Sequence, residues 1–229
     1  MKLPYWLYIL LLNFQYYHLV KAYTPQPRYE HGTALIGNKL YVLGGNVADT
    51  SKFSPSNDFF YLDVSVPFST SNITYVDLSD IGGTPKFSRA AVSVGGANKD
   101  IIFLFGGGFE NGSYGVPLVY TFDTTQNKWS APIIQGVQPS RRRRLSSVTT
   151  TTGKMYLFSG SHDIDTGAKN FSLEASMDIL NTIELTWSKG SLLQAPTPRD
   201  GFSTVLLPND IIIYLGGWIT SGFVSLKEV

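Results

Sequence analysis

The 229-residue chain contains no cysteine. That excludes a disulfide framework, thiol chemistry, cysteine-ligated zinc and iron–sulfur clusters. Stability must then come from apolar burial, which a chain of this length can supply. Charge of one sign is also lacking: 18 Lys and Arg face 17 Asp and Glu, for a net charge of +1. No overall field draws nucleic acid or an acidic membrane surface, and no nucleic-acid partner is expected. Any basic behaviour must be local, and one cluster offers it, the run "RRRR" at 141–144. Histidine is scarce too, with three in the chain.

An apolar run long enough to span a bilayer is missing as well. The first residues, "MKLPYWLYILLLNFQYYHLVKA", hold a short apolar core that Asn13, Gln15 and His18 interrupt, well short of the ~20 residues a membrane helix needs. With Lys2 before the core and Val20-Lys21-Ala22 after it, the segment reads as a signal peptide over 1–22, a retained anchor being the alternative. Three acceptor sequons follow, at Asn72, Asn111 and Asn170, each in a polar stretch suited to a surface loop or strand end. Together they predict a secreted or extracellular glycoprotein.

The chain from 23 to 229 repeats. Four apolar runs, "KLYVLGG", "IIFLFGG", "KMYLFSG" and "IIIYLGG", place their first small residue at 44, 106, 159 and 216. Each is short, rich in β-branched and aromatic residues, and apolar without alternation, as an inner strand covered on both faces should be. The pairs Gly44-Gly45, Gly106-Gly107, Ser159-Gly160 and Gly216-Gly217 allow positive φ and the close passage of a neighbouring chain. Upstream stand Arg28, Arg89 and Arg199, which lie 16, 17 and 17 residues before the first small position. Arg142 lies 17 before Ser159 and is aligned with them. Downstream, an apolar strand ends in Asp or Asn, turns, and reaches Tyr75, Trp129 or Trp187, which open a fourth strand.

Four strands per unit at this period, with small residues after the second strand and an aromatic across the last turn, resemble the kelch repeat of β-propellers. The resemblance implies an all-β fold of about three and a half blades, at approximately 28–82, 85–135, 139–190 and 196–229, the last incomplete. Kelch-type rings commonly have six or seven blades, so the chain is expected to be part of a larger ring. A membrane anchor would enter only through a C-terminal extension. Kelch-like propellers also occur in galactose oxidase and related copper radical oxidases, whose cross-linked tyrosine requires a cysteine that this chain lacks.

What remains is recognition. No catalytic residue and no cofactor are expected. His31 takes a place where kelch units often carry a structural histidine. His162, Asp163 and Asp165 share one loop and are the metal candidates, against the plainer reading of solvated polar residues. The long loops 46–58, 108–117 and 161–175 are natural binding elements on a rigid frame, for an unknown protein or glycan ligand. Secreted enzyme and intracellular kelch adaptor are the competing readings. Beside the repeat arginine, Arg141, Arg143 and Arg144 are expected to form a solvated basic loop, with a processing site and an anionic-glycan site as alternatives.

Overall fold

The computed structural model describes residues 23–47, 54–109 and 115–226. The leader segment 1–22 and Asn111 therefore lie outside the described residues. Among the described residues the secondary structure is strand and two single-turn 3-10 helices, with no α-helix.

Among the described residues, three antiparallel four-stranded sheets and one two-stranded sheet form successive blades along the chain, and three further two-stranded ribbons lie beside them. Blade 1 is built from Gly32–Ile36, Lys39–Leu43, Phe59–Asp63 and Tyr75–Asp77. Blade 2 uses Ala91–Gly95, Ile101–Phe105, Val119–Asp123 and Lys128–Ser130. Blade 3 uses Ser147–Thr149, Lys154–Phe158, Met177–Asn181 and Thr186–Lys189, and blade 4 has Ser203–Leu206 and Ile212–Leu215. Within each sheet the strands lie side by side in chain order, and the first strands of successive blades pack against one another around a hub. Among the described residues this is a β-propeller arrangement of three four-stranded blades and one two-stranded blade.

Local chemistry explains the turns. Asp123 Oδ1 accepts from the backbone N–H groups of Thr125 and Gln126, and Asn181 Oδ1 accepts from those of Ile183 and Glu184. These side-chain-closed turns return the chain to the fourth strand, where Tyr75, Trp129 and Trp187 face Leu62, Phe122 and Leu180. The two tryptophans pack on the preceding blade: Trp129 lies 5.3 Å from Phe59, and Trp187 5.8 Å from Phe105. Two apolar clusters result, one joining blades 1 and 2, the other blades 2, 3 and 4. Phe59, Phe105 and Leu157 are fully buried within them, each contributing about 1.5–3 kcal/mol relative to exposure.

The small-residue pairs stitch the blades together. The N–H groups of Gly45, Gly107 and Gly160 donate to the carbonyls of Phe87, Arg142 and Arg199 at 2.8, 3.0 and 3.0 Å. Gly44, Gly106 and Gly216 take positive φ, and so does Ser159, at +50°. Ser159 compensates through its hydroxyl, which donates to the Glu174 carbonyl and accepts from the Arg199 N–H, both at 2.8 Å.

The same register corrects the alignment of the arginines. Tyr29, Ser88, Arg143 and Asp200 each pair with the residue two places beyond the first small position, namely Asn46, Gly108, Ser161 and Trp218. The residues just before them are Arg28, Phe87, Arg142 and Arg199. Phe87, rather than Arg89, thus occupies the repeat place of blade 2. The inner hairpin of that blade turns through residues 96–100, whereas blade 1 turns through 37–38. The longer turn makes Arg89 match by residue count while standing two places too late.

Candidate functional site

Two places after the repeat position, held by Arg28, Phe87, Arg142 and Arg199, come Glu30, Arg89, Arg144 and Gly201, one from each blade. All four have positive φ, between +56° and +63°. Their backbones form a chain of hydrogen bonds around the hub: Arg89 N–H to Glu30 carbonyl, Arg144 N–H to Arg89 carbonyl, and Gly201 N–H to Arg144 carbonyl, at 2.9, 2.9 and 2.7 Å. The left-handed conformation costs a non-glycine residue roughly 1–2 kcal/mol. Here the interblade bonds hold it in place.

All four line a pocket of about 740 Å³ at one mouth of the hub. Ala90, Leu145, Phe171, Phe202, Trp218 and Phe223 supply its apolar wall, and His31 and Asp200 complete its polar lining. Phe171 stands edge-on to Trp218 at 5.7 Å, and Phe223 is 90% exposed. The opposite mouth has a smaller cavity of about 380 Å³, lined by hairpin turns around Gly37, Gly96 and Gly153.

Electrostatics at the larger mouth form a chain of ion pairs. Arg89 bonds Glu30 and lies 3.5 Å from Asp165. Arg143 bonds Asp163 and Asp165. Arg144 sits 3.8 Å from Glu30 and 3.8 Å from Asp200, too far for a hydrogen bond to either. Burial and the nearby Arg28 charge hold the His31 imidazole below its usual pKa.

The arginine run is therefore taken apart by the fold, and the solvated basic loop is corrected. Arg141 donates to the carbonyls of Gly106, Val116 and Pro117 and stacks over Phe109 at 4.8 Å. Arg142 is wholly buried; it pairs with Asp178 at 2.7 Å and donates to the Leu157 carbonyl. Arg143 is buried between two aspartates. Only the side chain of Arg144 is substantially exposed, at 42%. Of the other aligned arginines, Arg28 bonds the Gly44 carbonyl and Asp58, and Arg199 bonds the Gly216 carbonyl.

The metal candidates are also engaged otherwise. His162 hydrogen-bonds the Arg141 carbonyl through Nδ1 and Glu174 through Nε2, both at 2.9 Å. Burial raises the Glu174 carboxyl, but bonds from His162 and Ser176 together with the nearby Arg142 and His162 charges hold its pKa below the usual value. Asp163 caps a 3-10 turn while it and Asp165 bind Arg143. Among the described residues, no three His, Cys, Asp or Glu side chains converge as a metal site.

Asn72 and Asn170 are exposed. Of the long loops, 161–175 reaches the pocket through Phe171; Tyr114 lies outside the described residues. Sequence reasoning missed Glu30, Asp200, Phe171, Trp218 and Phe223. The place two residues beyond the repeat arginine was the available signal for Glu30, and a correct register of blade 2 would have exposed it.

A family model described as the KLHDC2/KLHL20/DRC7 Kelch-repeats domain matches residues 31–228. The chain is 25% identical over 206 residues to N-(sulfonatooxy)prop-2-enimidothioate sulfolyase of Thlaspi arvense, covering 89% of this chain and 54% of that protein. It is 27% identical over 225 residues to Host cell factor 1 of Homo sapiens, covering 86% of this chain and 11% of that protein. Tip elongation aberrant protein 1 of Schizosaccharomyces pombe (strain 972 / ATCC 24843) is 25% identical over 199 residues, covering 83% of this chain and 16% of that protein. The chain thus spans about half, or much less, of these relatives.

Proposed function

Because this chain belongs to the kelch-repeat family, we propose that it is a non-catalytic binding propeller whose partner protein inserts into the larger mouth of the hub. The observation that carries this reading is the pocket itself. It is about 740 Å³ in volume, has exposed aromatic residues at its rim, and is fed by side chains from all four blades. Exposed aromatics beside a concave polar floor are what a hot-spot side chain of a partner requires.

The binding is proposed to occur in the secretory pathway or outside the cell. Support comes from the apolar leader ending at Ala22, the three sequons, and the exposure of Asn72 and Asn170. Expression in a secreting eukaryotic host tests this. Secretion with cleavage after Ala22 and a mass loss on deglycosylation is expected; an uncleaved, unglycosylated product retained in the cytosol would contradict it.

The binding reading is tested with Trp218→Ala and Phe171→Ala. Both should abolish partner recovery from the producing tissue while leaving the melting temperature within a few degrees. Recovery unaffected by either variant would overturn the reading. Treating the partner with glycosidases separates a protein ligand, which survives, from a glycan ligand, which does not. The sulfolyase relative carries a second, catalytic reading, on 25% identity across 89% of this chain. Turnover of that enzyme's substrate by the purified chain would establish it.

A further inference from the structure

The hub position two places beyond the repeat position carries Glu30, Arg89 and Arg144 in the first three blades. Glu30 and Arg89 are bonded to each other. In blade 4 the same place is Gly201, which has no side chain to offer. Asp200, next to it, is 2% exposed, and among the described residues its Oδ2 has no hydrogen-bond partner. Among the described residues its ion-pair partner is Arg144, at 3.8 Å. A buried carboxylate without a donor is unfavourable unless a partner satisfies it. Yet Asp200 lines the pocket, so a ligand there can reach it.

Building on the protein-binding reading, we propose that the pocket receives a basic side chain of the partner, lysine or arginine, with Asp200 as its counter-ion. Charge complementarity supports the choice of occupant. The orphaned atom is an acceptor, and only a donor satisfies it. The walls beside it are aromatic, Phe202, Trp218 and Phe171, and a cation gains from the faces of such rings when desolvated. Arg144 does not preclude the second cation. Its side chain is 42% exposed and hydrogen-bonded to neither carboxylate, so it can move aside or share. The chain already contains a shared carboxylate: Asp178 takes Arg142 on Oδ2 at 2.7 Å and Lys189 on Oδ1 at 2.5 Å.

The test is calorimetric titration of the full chain with four capped tripeptides, acetyl-Gly-X-Gly-amide, where X is arginine, lysine, citrulline or glutamate. Citrulline keeps the shape of arginine without its charge. The arginine and lysine probes should bind at least tenfold more tightly than the other two. Asp200→Asn, which removes no hydrogen bond at Oδ2, should erase that preference. Arg144→Gln should preserve or strengthen it by removing a competing cation. Preference for glutamate, loss of binding in Arg144→Gln, survival of the preference in Asp200→Asn, or no binding of either basic probe would each overturn the inference. If Trp218→Ala still abolishes partner recovery while the glutamate probe wins, the protein-binding reading stands and the basic side chain falls. If partner recovery ignores Trp218, the reading itself falls.

Discussion

Arg142 and Asp178 form an ion pair at 2.7 Å in which both side chains are essentially sealed from solvent, at 0% and 1% exposure. The pair ties the first residues of blade 3 to its third strand. Its two members are not equally replaceable. Asp178 also holds Lys189 and accepts from Ser176, whereas the other bond of Arg142 goes to the Leu157 carbonyl.

Asp178→Ala strands a buried guanidinium and should cost about 3–5 kcal/mol. Arg142→Met leaves Asp178 with Lys189 and should cost distinctly less. Urea denaturation of both variants checks the order; equal losses would contradict it.

Acid sensitivity follows from the same carboxyl. Burial pushes the Asp178 pKa up, but Lys189 and Arg142 outweigh it, so the folded value lies below the usual one. The corresponding stability is present above the unfolded carboxylate pKa of about 3.9 and is lost as pH falls through the folded value. The urea midpoint of the native chain should fall as pH drops below about 4, and that slope should flatten in Asp178→Asn.

Interblade closeness makes a sharp contrast between glycines. A Cβ on Gly106, at φ +69°, would overlap the Arg142 carbonyl oxygen, whereas one on Gly37, at φ +56°, meets nothing within 4 Å. Gly37→Ala should cost about 1–2 kcal/mol, the conformational penalty alone, and Gly106→Ala clearly more. Thermal melts of the two variants measure the difference.

The arginine run should resist proteases while the chain is folded. Arg141, Arg142 and Arg143 are held by carbonyls or aspartates, and a protease must draw out an extended segment to cut. Brief native trypsin digestion should leave 141–144 intact, read by mass spectrometry. An early cut within the run would contradict the placement.

The blades were legible because their signal is local and periodic: a five-residue apolar strand, small residues, a side-chain-closed turn, an aromatic. Phe87 was not, because a longer inner hairpin in blade 2 moved the count by two and offered Arg89 in its place. The pocket was harder still. Glu30, Arg89, Arg144 and Asp200 lie far apart in sequence, and their meeting depends on the hub's left-handed backbone and on blade-to-blade hydrogen bonds. The four arginines show both effects. One holds the repeat place, one the hub place with its side chain still exposed, and the other two reach neighbouring loops, so a run that reads as a surface patch divides into three internal contacts and one exposed cation.

Occupancy of the larger mouth by the partner can be read by site-specific photo-cross-linking. A benzophenone amino acid at Phe223, on the rim of that mouth, is compared with one at Leu35, on the opposite mouth. A discrete covalent adduct is expected from position 223, disappearing in Trp218→Ala, and none from position 35. An adduct from position 35 alone, or one from 223 that persists in Trp218→Ala, would contradict it.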